Sequence, residues 1–530
     1  AVLASNSEVD ENGVVRVKAN TDPTSAKYIG GITGYTANIY ANNHDDADVQ
    51  ELITIRNCVS SPVYSDSDLE TLLDASVDDA ATVLSSKLNG VYVGGIVGYN
   101  YYSTIQSCTT KAENGKKGYV FGYRYVGGIV GFNQGPTSGI KGGDNGVSGI
   151  NEANVVGSEY VGGITGCNAD VDKDELDAEA IDKGYSVSGK YTNEILEATD
   201  IIVVPDTERN TENKIENWIN KGIIFATGKY AGGISGYNCG WIFNCNSEVE
   251  SANVDGFFQS TYSSGDYTGG IAGYNNGVIG NTKREMNASG SFVVSSGNKS
   301  DEERKISAVC YISGKNYVGG IVGYNDVDAI VEDYELAGGY ILGDEEEGSF
   351  VGGYAGFNSS LRLFMDDNGI ARAVISKPNR VIGEYFVGGS VGGNIINTGL
   401  TGDIPTIFKT DNFLGTIYGK AFVGGFVGYN MITDTPAIYY GGEVRYAVSN
   451  VIQQELVAFF EDSDLDTTTD NQKLVDKVGI LNNIYGNTNL RLRNSSATMY
   501  ISGSNEQMTQ NSLGRIEADI YIGGVFGYND

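Results

Sequence analysis

The sequence predicts an all-β fold, a parallel β-solenoid (β-helix) of ~35-residue repeats with short helical or loop insertions. Three observations predict it. One nonapeptide recurs eleven times, beginning at Tyr28, Tyr92, Tyr125, Tyr160, Tyr230, Tyr267, Tyr317, Phe350, Phe386, Phe422 and Tyr521. Glycine supplies 74 of 530 residues against only 7 prolines, which excludes a collagen-like chain and most disordered linkers. The apolar stretches are short, rich in β-branched and aromatic residues and bounded by Gly or Asn, as strands are and helices are not.

The nonapeptide is clearest as Tyr92-Val93-Gly94-Gly95-Ile96-Val97-Gly98-Tyr99-Asn100. Successive copies start 64, 33, 35, 70, 37, 50, 33, 36, 36 and 99 residues apart. The three long intervals are close to two, two and three periods, so about fifteen coils are expected, a rod roughly 70 Å long at the ~4.8 Å strand spacing. Upstream of the motif lies an apolar pair or triplet closed by Gly, as in Val155-Val156-Gly157, Ile341-Leu342-Gly343, Ile382-Gly383 and Ile417-Tyr418-Gly419. Downstream, Ile-x-x-Cys recurs as Ile55 to Cys58, Ile105 to Cys108 and Ile242 to Cys245, giving three strands per coil.

A single coil cannot bury its apolar side chains, but coils laid on one another pair every strand and align like positions in ladders. The fifth motif position, Ile32, Ile96, Ile129, Ile164, Ile234, Ile271 and Ile321, then Phe426 and Val525, is the expected inward ladder. The ninth is Asn in ten of eleven copies, Thr36 being the exception, and suits a corner where side-chain amides stack or a left-handed residue sits. The glycines at positions three, four and seven mark either close approach of a neighbouring coil or positive φ. An Asp in place of Ile321 or Gly320 is expected to lower the melting temperature by several degrees or more.

The whole chain, 1–530, reads as one continuous solenoid with insertions near 66–86, 169–222 and 451–478. Leu69, Leu72 and Leu73, Asn213 to Trp218 and Leu456 to Phe460 carry short helical spacings. Insertions in a solenoid emerge as loops and are the expected binding elements. The last copy ends one residue before Asp530, from which a longer protein, or ends that stack head to tail, is expected.

With 35 Lys+Arg against 67 Asp+Glu the net charge is −32, which opposes binding to nucleic acid or to an anionic membrane surface. No apolar run reaches the ~18–20 residues of a membrane helix, so no membrane insertion is expected. The N-terminus lacks the basic and apolar regions of a signal peptide, so a removed leader or an excised segment is expected.

Catalysis lacks parts, and the chain is read as a non-enzyme. His44 is the one histidine, so there is no His-Glu-x-x-His zinc site, and no Gly-x-Ser-x-Gly elbow accompanies it. The Gly-Gly-x-x-Gly pattern is not a dinucleotide fingerprint, and no cofactor is expected. Asp170, Asp172 and Asp174 open like a calcium loop, but Glu175 and Ile181 stand where Gly and Glu belong, so a solvated acidic loop is preferred to a calcium site. Asp462-Ser463-Asp464-Leu465-Asp466 fails in the same way. A carboxylate pair for polysaccharide hydrolysis would need a spacing that sequence does not reveal. Six cysteines permit disulfides in an exported protein, yet Cys58, Cys108 and Cys245 share one slot and Cys167 replaces an aromatic, which suits buried apolar fillers.

The core Gly95-Ile96-Val97-Gly98, with its Tyr-Val-Gly lead-in and Tyr-Asn exit, resembles the GLUG-type repeats of large bacterial cell-surface proteins, adhesin-like proteins and some secreted IgA-specific metalloendopeptidases among them. The resemblance covers the nonapeptides and their flanking strands and implies β-solenoid stalks. It also implies an extracellular, cell-surface structural or adhesive module, whose partners are a host or neighbouring-cell protein or glycan, or other copies end to end. The alternatives are a β-helix carbohydrate-active enzyme, the stalk of a larger secreted protease, or a self-assembling filament subunit.

Overall fold

The computed structural model describes residues 7–9, 15–17, 28–37, 54–61, 88, 90–101, 103–111, 118–134, 140–141, 149–169, 213–248, 259–280, 282–286, 292–296, 307–326, 329–331, 335–344, 348–360, 375–376, 380–397, 416–425, 427–433, 438–440, 443–445, 515–523 and 526–529. These residues contain strands and no helix. Each nonapeptide supplies two strands, such as Val91–Gly94 and Val97–Tyr101, with a bend at Gly95-Ile96 between them. The second strands, from Thr33–Ala37 to Phe526–Asn529, form one eleven-stranded sheet in chain order. Every pairing along it is parallel and in register, for example Asn100 with Asn133, Asn133 with Asn168 and Asn168 with Asn238. The molecule is a parallel β-solenoid, as the repeat demands.

The coil has up to five strands rather than three. The motif splits at its bend, and the downstream part splits into two, as at Thr104–Gln106 and Thr109–Thr110. The second break is a left-handed residue just before the cysteine slot: Asn57 (φ 54), Ser107 (φ 52), Asn217 (φ 59) and Asn244 (φ 49). The upstream strand, such as Asn154–Gly157, completes the circuit. The cross-section tapers along the stack. The outermost strip ends at Asn246–Ser247 and the one before it at Ile330–Val331, among the described residues.

Two expectations need correction. The long intervals hold no extra coils: Ile29 pairs directly with Val93, Val161 with Ala231 and Thr416 with Arg515. Each long interval is therefore one coil with an excursion, and eleven coils spanning ten steps of ~4.8 Å give roughly 48 Å, not 70 Å. Asn213 to Trp218 is not helical but lies in the strands Lys214–Glu216 and Trp218–Asn220. Left-handed Asn217 resets the strand alternation, so Ile215 and Trp218 both point inward and mimic a helical three-residue spacing. The insertion near 169–222 thus contributes 213–222 to the coil, while 66–86 and 451–478 lie outside the described residues.

The ladders form the core. Ile96, Ile129, Ile164, Ile234, Ile271 and Ile321 are fully buried, continued by Tyr354 and Ser390 in later coils. Phe426 and Val525 fall outside the residues whose side chains are described. The first motif position is a stack of rings from Tyr28 through Phe422, with centroids 4.7–5.2 Å apart. Nine of these aromatics, from Tyr92 to Phe422, hold φ near +53 to +65, a strained conformation for a non-glycine residue. Ring stacking on both neighbours offsets that strain. The described motif glycines do not have positive φ; a Cβ on Gly94 would overlap the carbonyl oxygen of Val97, and one on Gly95 that of Gly128. Close approach, not turn geometry, fixes them.

The ninth position is a continuous, buried amide ladder. Each Nδ2 donates to the Oδ1 one coil on, from Asn100 to Asn133 (2.7 Å), then Asn168 (2.9 Å), Asn238 (2.9 Å), Asn275 (2.8 Å), Asn325 (2.9 Å), Asn358 (3.0 Å) and Asn394 (2.8 Å). Thr36 breaks it: its hydroxyl pairs with Ser103, and Asn100 Oδ1 has no donor among the described residues.

Candidate functional surface

The motif strands and the bend between them are never interrupted, because their glycines and ladders leave no room for extra chain. Every long excursion leaves and rejoins within the remaining arc of the coil, after one motif and before the next. The excursion over 170–212 shows how. Asn168 Nδ2 donates both to Asn238 Oδ1 and, at 3.2 Å, to the carbonyl of Asn213, so the two ends of a forty-odd-residue detour meet at one ladder rung. The register on either side is undisturbed, with Val161 beside Ala231 and Cys167 beside Tyr237. A described hairpin, Thr282–Met286 with Phe292–Ser296, rises from the same arc two coils later.

Charge follows this division. The segment 170–212 carries thirteen Asp+Glu against four Lys+Arg, a net of −9 in 43 residues. On the coil itself, charges alternate down one stretch of the column at the residue before the motif, through Arg124, Glu159, Lys229 and Asp266, with neutral Asn316 next. Arg124 Nε lies 3.4 Å from Glu159 Oε2 and stacks over Tyr125 and Tyr160; Lys229 lies over Tyr230. Asn316 Nδ2 donates to Asp266 Oδ1 at 2.9 Å. Burial raises the Asp266 carboxyl above the usual aspartate range, with Asn316 and the nearby lysines opposing the shift. The column is thus locally balanced, and its half-buried ions are partnered.

Inside the coil the eighth position shows a second matching rule that the sequence reading missed. In three coils a tyrosine there bonds through its hydroxyl to the residue after the ladder asparagine of the next coil: Tyr99 donates to Gln134, Tyr274 donates to Asp326 (2.9 Å), and the Tyr324 and Ser359 hydroxyls share a hydrogen bond (2.9 Å). Where the ring is Phe132, that next-coil place is held by buried Ala169. Comparing position eight of one copy with the tenth residue of the next would have exposed the rule. These groups are committed to packing and offer no open chemical site.

His44, the acidic trio Asp170, Asp172 and Asp174, and the 462–466 cluster lie outside the described residues. Among the described residues no group of three or more His, Cys, Asp or Glu could hold a metal, and no helix could cross a membrane. No disulfide joins Cys58, Cys108, Cys167, Cys239 and Cys245. Cys108, Cys167 and Cys245 are buried; burial pushes the Cys108 thiol up to about 11 and the Cys245 thiol to about 12.

The coil and its one permissive arc define a structural class, a parallel β-solenoid that tolerates inserted segments without losing register. Its repeat is of the GLUG type: the family model of the GLUG motif matches residues 89–114, which run from just before Val91–Gly94 to just after Thr109–Thr110 and so cover four strands of the second coil. The same motif recurs in the other ten coils. No curated protein and no solved structure matches the chain.

Proposed function

We propose that this repeat module is an extracellular structural and adhesive element of a bacterial surface or fibre protein, with the coil stack as a stiff spacer and the excursions as its contacts. The observation that carries this reading is the strict division of labour along the coil, with unbroken motif strands on one arc and every excursion on the other. Solenoids place variable segments where they can recognise partners without affecting stacking. The −9 charge of 170–212 suits a basic patch on a host or neighbouring-cell protein. Replacing 170–212 by a short Gly-Ser linker between Ala169 and Asn213 should leave the β spectrum intact and the melting temperature within a few degrees, while adhesion to host cells falls. Undiminished adhesion after this deletion and after removal of 62–87 and 446–514 would refute the reading.

End-to-end association of copies is a second reading, favoured by the first coil. There Ile32, Tyr35 and Val59 are exposed, whereas Ile96 and Tyr99, the next members of two of these columns, are buried. Sedimentation velocity with increasing concentration should then show larger species, and Ile32→Lys should abolish them.

A further inference from the structure

We propose that Cys58 and Cys108 are an oxidation-dependent pair whose disulfide staples the first coil to the second. Their strands are parallel and in register, Val59 beside Thr109 and Ser60 beside Thr110, and Thr109 N–H donates to the Cys58 carbonyl at 2.9 Å. The cysteines, one residue earlier, are therefore lateral neighbours. The ~4.8 Å strand spacing lies inside the ~4.4–6.8 Å Cα separation that disulfides span.

Their side chains share a direction. Each cysteine follows a left-handed residue, Asn57 or Ser107, and each thiol donates to the carbonyl two residues back, that of Arg56 or Gln106. Both pack on the same apolar cluster. Cys108 Sγ also leans toward the first coil, 3.6 Å from the Ile55 carbonyl. No other described cysteine has a second cysteine at its own register position. Cys167 lies between Phe132 and Tyr237, Cys245 has Trp218 beside it, and Cys239 follows the ladder residue Asn238, two residues beyond the partner of Cys167.

The location gives the bond a consequence. Among the described residues the first coil pairs with another coil on one side only, and Ile32 is 44% exposed where Ile96 is 0%. A bond from residue 58 to 108 would close a loop that includes the 62–87 excursion and hold the coil that is least covered. A low-molecular-weight disulfide supplies the oxidant. Half-buried Cys58 attacks one of its sulfurs, losing its proton and expelling the first small thiol. Cys108 then loses its proton and attacks the Cys58 sulfur, expelling the second. Two protein thiols become one disulfide, and the small disulfide is reduced to two thiols.

The test is oxidation of the whole chain with oxidised glutathione, alkylation of remaining thiols and non-reducing peptide mass spectrometry. The expected product is a peptide pair linked through Cys58 and Cys108, with Cys167, Cys239 and Cys245 alkylated. Oxidised protein should melt several degrees above reduced protein, and amide exchange in 29–37 and 54–60 should slow at least tenfold. Cys58→Ser should show neither change. Alkylation of both thiols after oxidation, a glutathione adduct on Cys58 that Cys108 never displaces, or linkage to a different cysteine would each overturn the proposal; the peptide map needs only the unmutated protein.

Discussion

Substitution of Asn275 by Ala should open the stack at one identifiable plane. Asn275 is fully buried, and its Nδ2 donates to Asn325 Oδ1 (2.9 Å), Gly277 O (3.3 Å) and Ile330 O (3.3 Å). Its Oδ1 accepts from Asn238 Nδ2 (2.8 Å) and Gly277 N (3.2 Å). Alanine leaves Asn325 Oδ1 and Gly277 N–H without these partners, while Asn238 keeps its second acceptor, Gly240 O at 3.2 Å. Two buried polar groups stranded at ~1–3 kcal/mol each, with partial relief from entering water, give about 2–4 kcal/mol. Solenoid coils contact only their neighbours, so the loss should be local. Hydrogen exchange followed by mass spectrometry is the assay. At ~1.4 kcal/mol per tenfold, amides in Thr268–Gly269, Ala272–Asn275, Val318–Gly319 and Val322–Asn325 should exchange about 30- to 1000-fold faster, while those near Val126 change little. Acceleration below threefold at these strands, or equal acceleration throughout, would refute the ladder as a stabilising element.

Gly319→Ala would drive a Cβ into the carbonyl oxygen of Val322, a backbone atom that cannot turn aside, and should give insoluble protein or a melting temperature lower by many degrees in a thermal scan. Phe132→Tyr would place a hydroxyl against buried Ala169 at a cost of about 1–3 kcal/mol, recovered in part by the pair Phe132→Tyr with Ala169→Ser in a urea-denaturation double-mutant cycle. Asp266 has a carboxyl raised by burial, so its contribution to stability is fullest below the ordinary aspartate range and is lost as pH rises through the higher folded value. Asp266→Asn should therefore gain on the unsubstituted protein in melting temperature as pH increases from 3 to 7, with the two converging at the acid end.

The ladders at positions five and nine were legible because a fixed period and a fixed residue type identify a repeated environment without coordinates. Stacked Ile96 through Ile321 and the amide column from Asn100 to Asn394 both follow from that alone. The five-strand cross-section was hidden, because its corners use left-handed residues that carry no glycine signature. Tyr92, Tyr125 and Phe350 at positive φ are held there by ring stacking, a tertiary effect that local propensity does not report. The same corner at Asn217 disguised a strand break as helical spacing. Coil number is not legible in the sequence, because interval length does not distinguish a degenerate coil from a closed excursion. Direct pairing of the flanking strands, as of Val161 with Ala231, and the contact between Asn168 and Asn213 tell them apart. The candidate surface was legible as a set of insertions, but its confinement to one arc depends on knowing where the coil turns.

Distances along one column test the stacked architecture most directly. Tyr123, Ser158, Gly228, Gly265, Lys315, Gly348, Glu384 and Lys420 occupy the same place, two residues before successive motifs. Nitroxide labels at 123 and 315 should lie four steps apart, about 19 Å, and labels at 123 and 420 seven steps apart, about 34 Å, by pulsed electron–electron resonance. Narrow distributions near those values in a ratio of four to seven are the expected result. Distances longer by one coil in both pairs would restore a hidden turn between Tyr160 and Tyr230, and broad distributions without that ratio would contradict the column altogether.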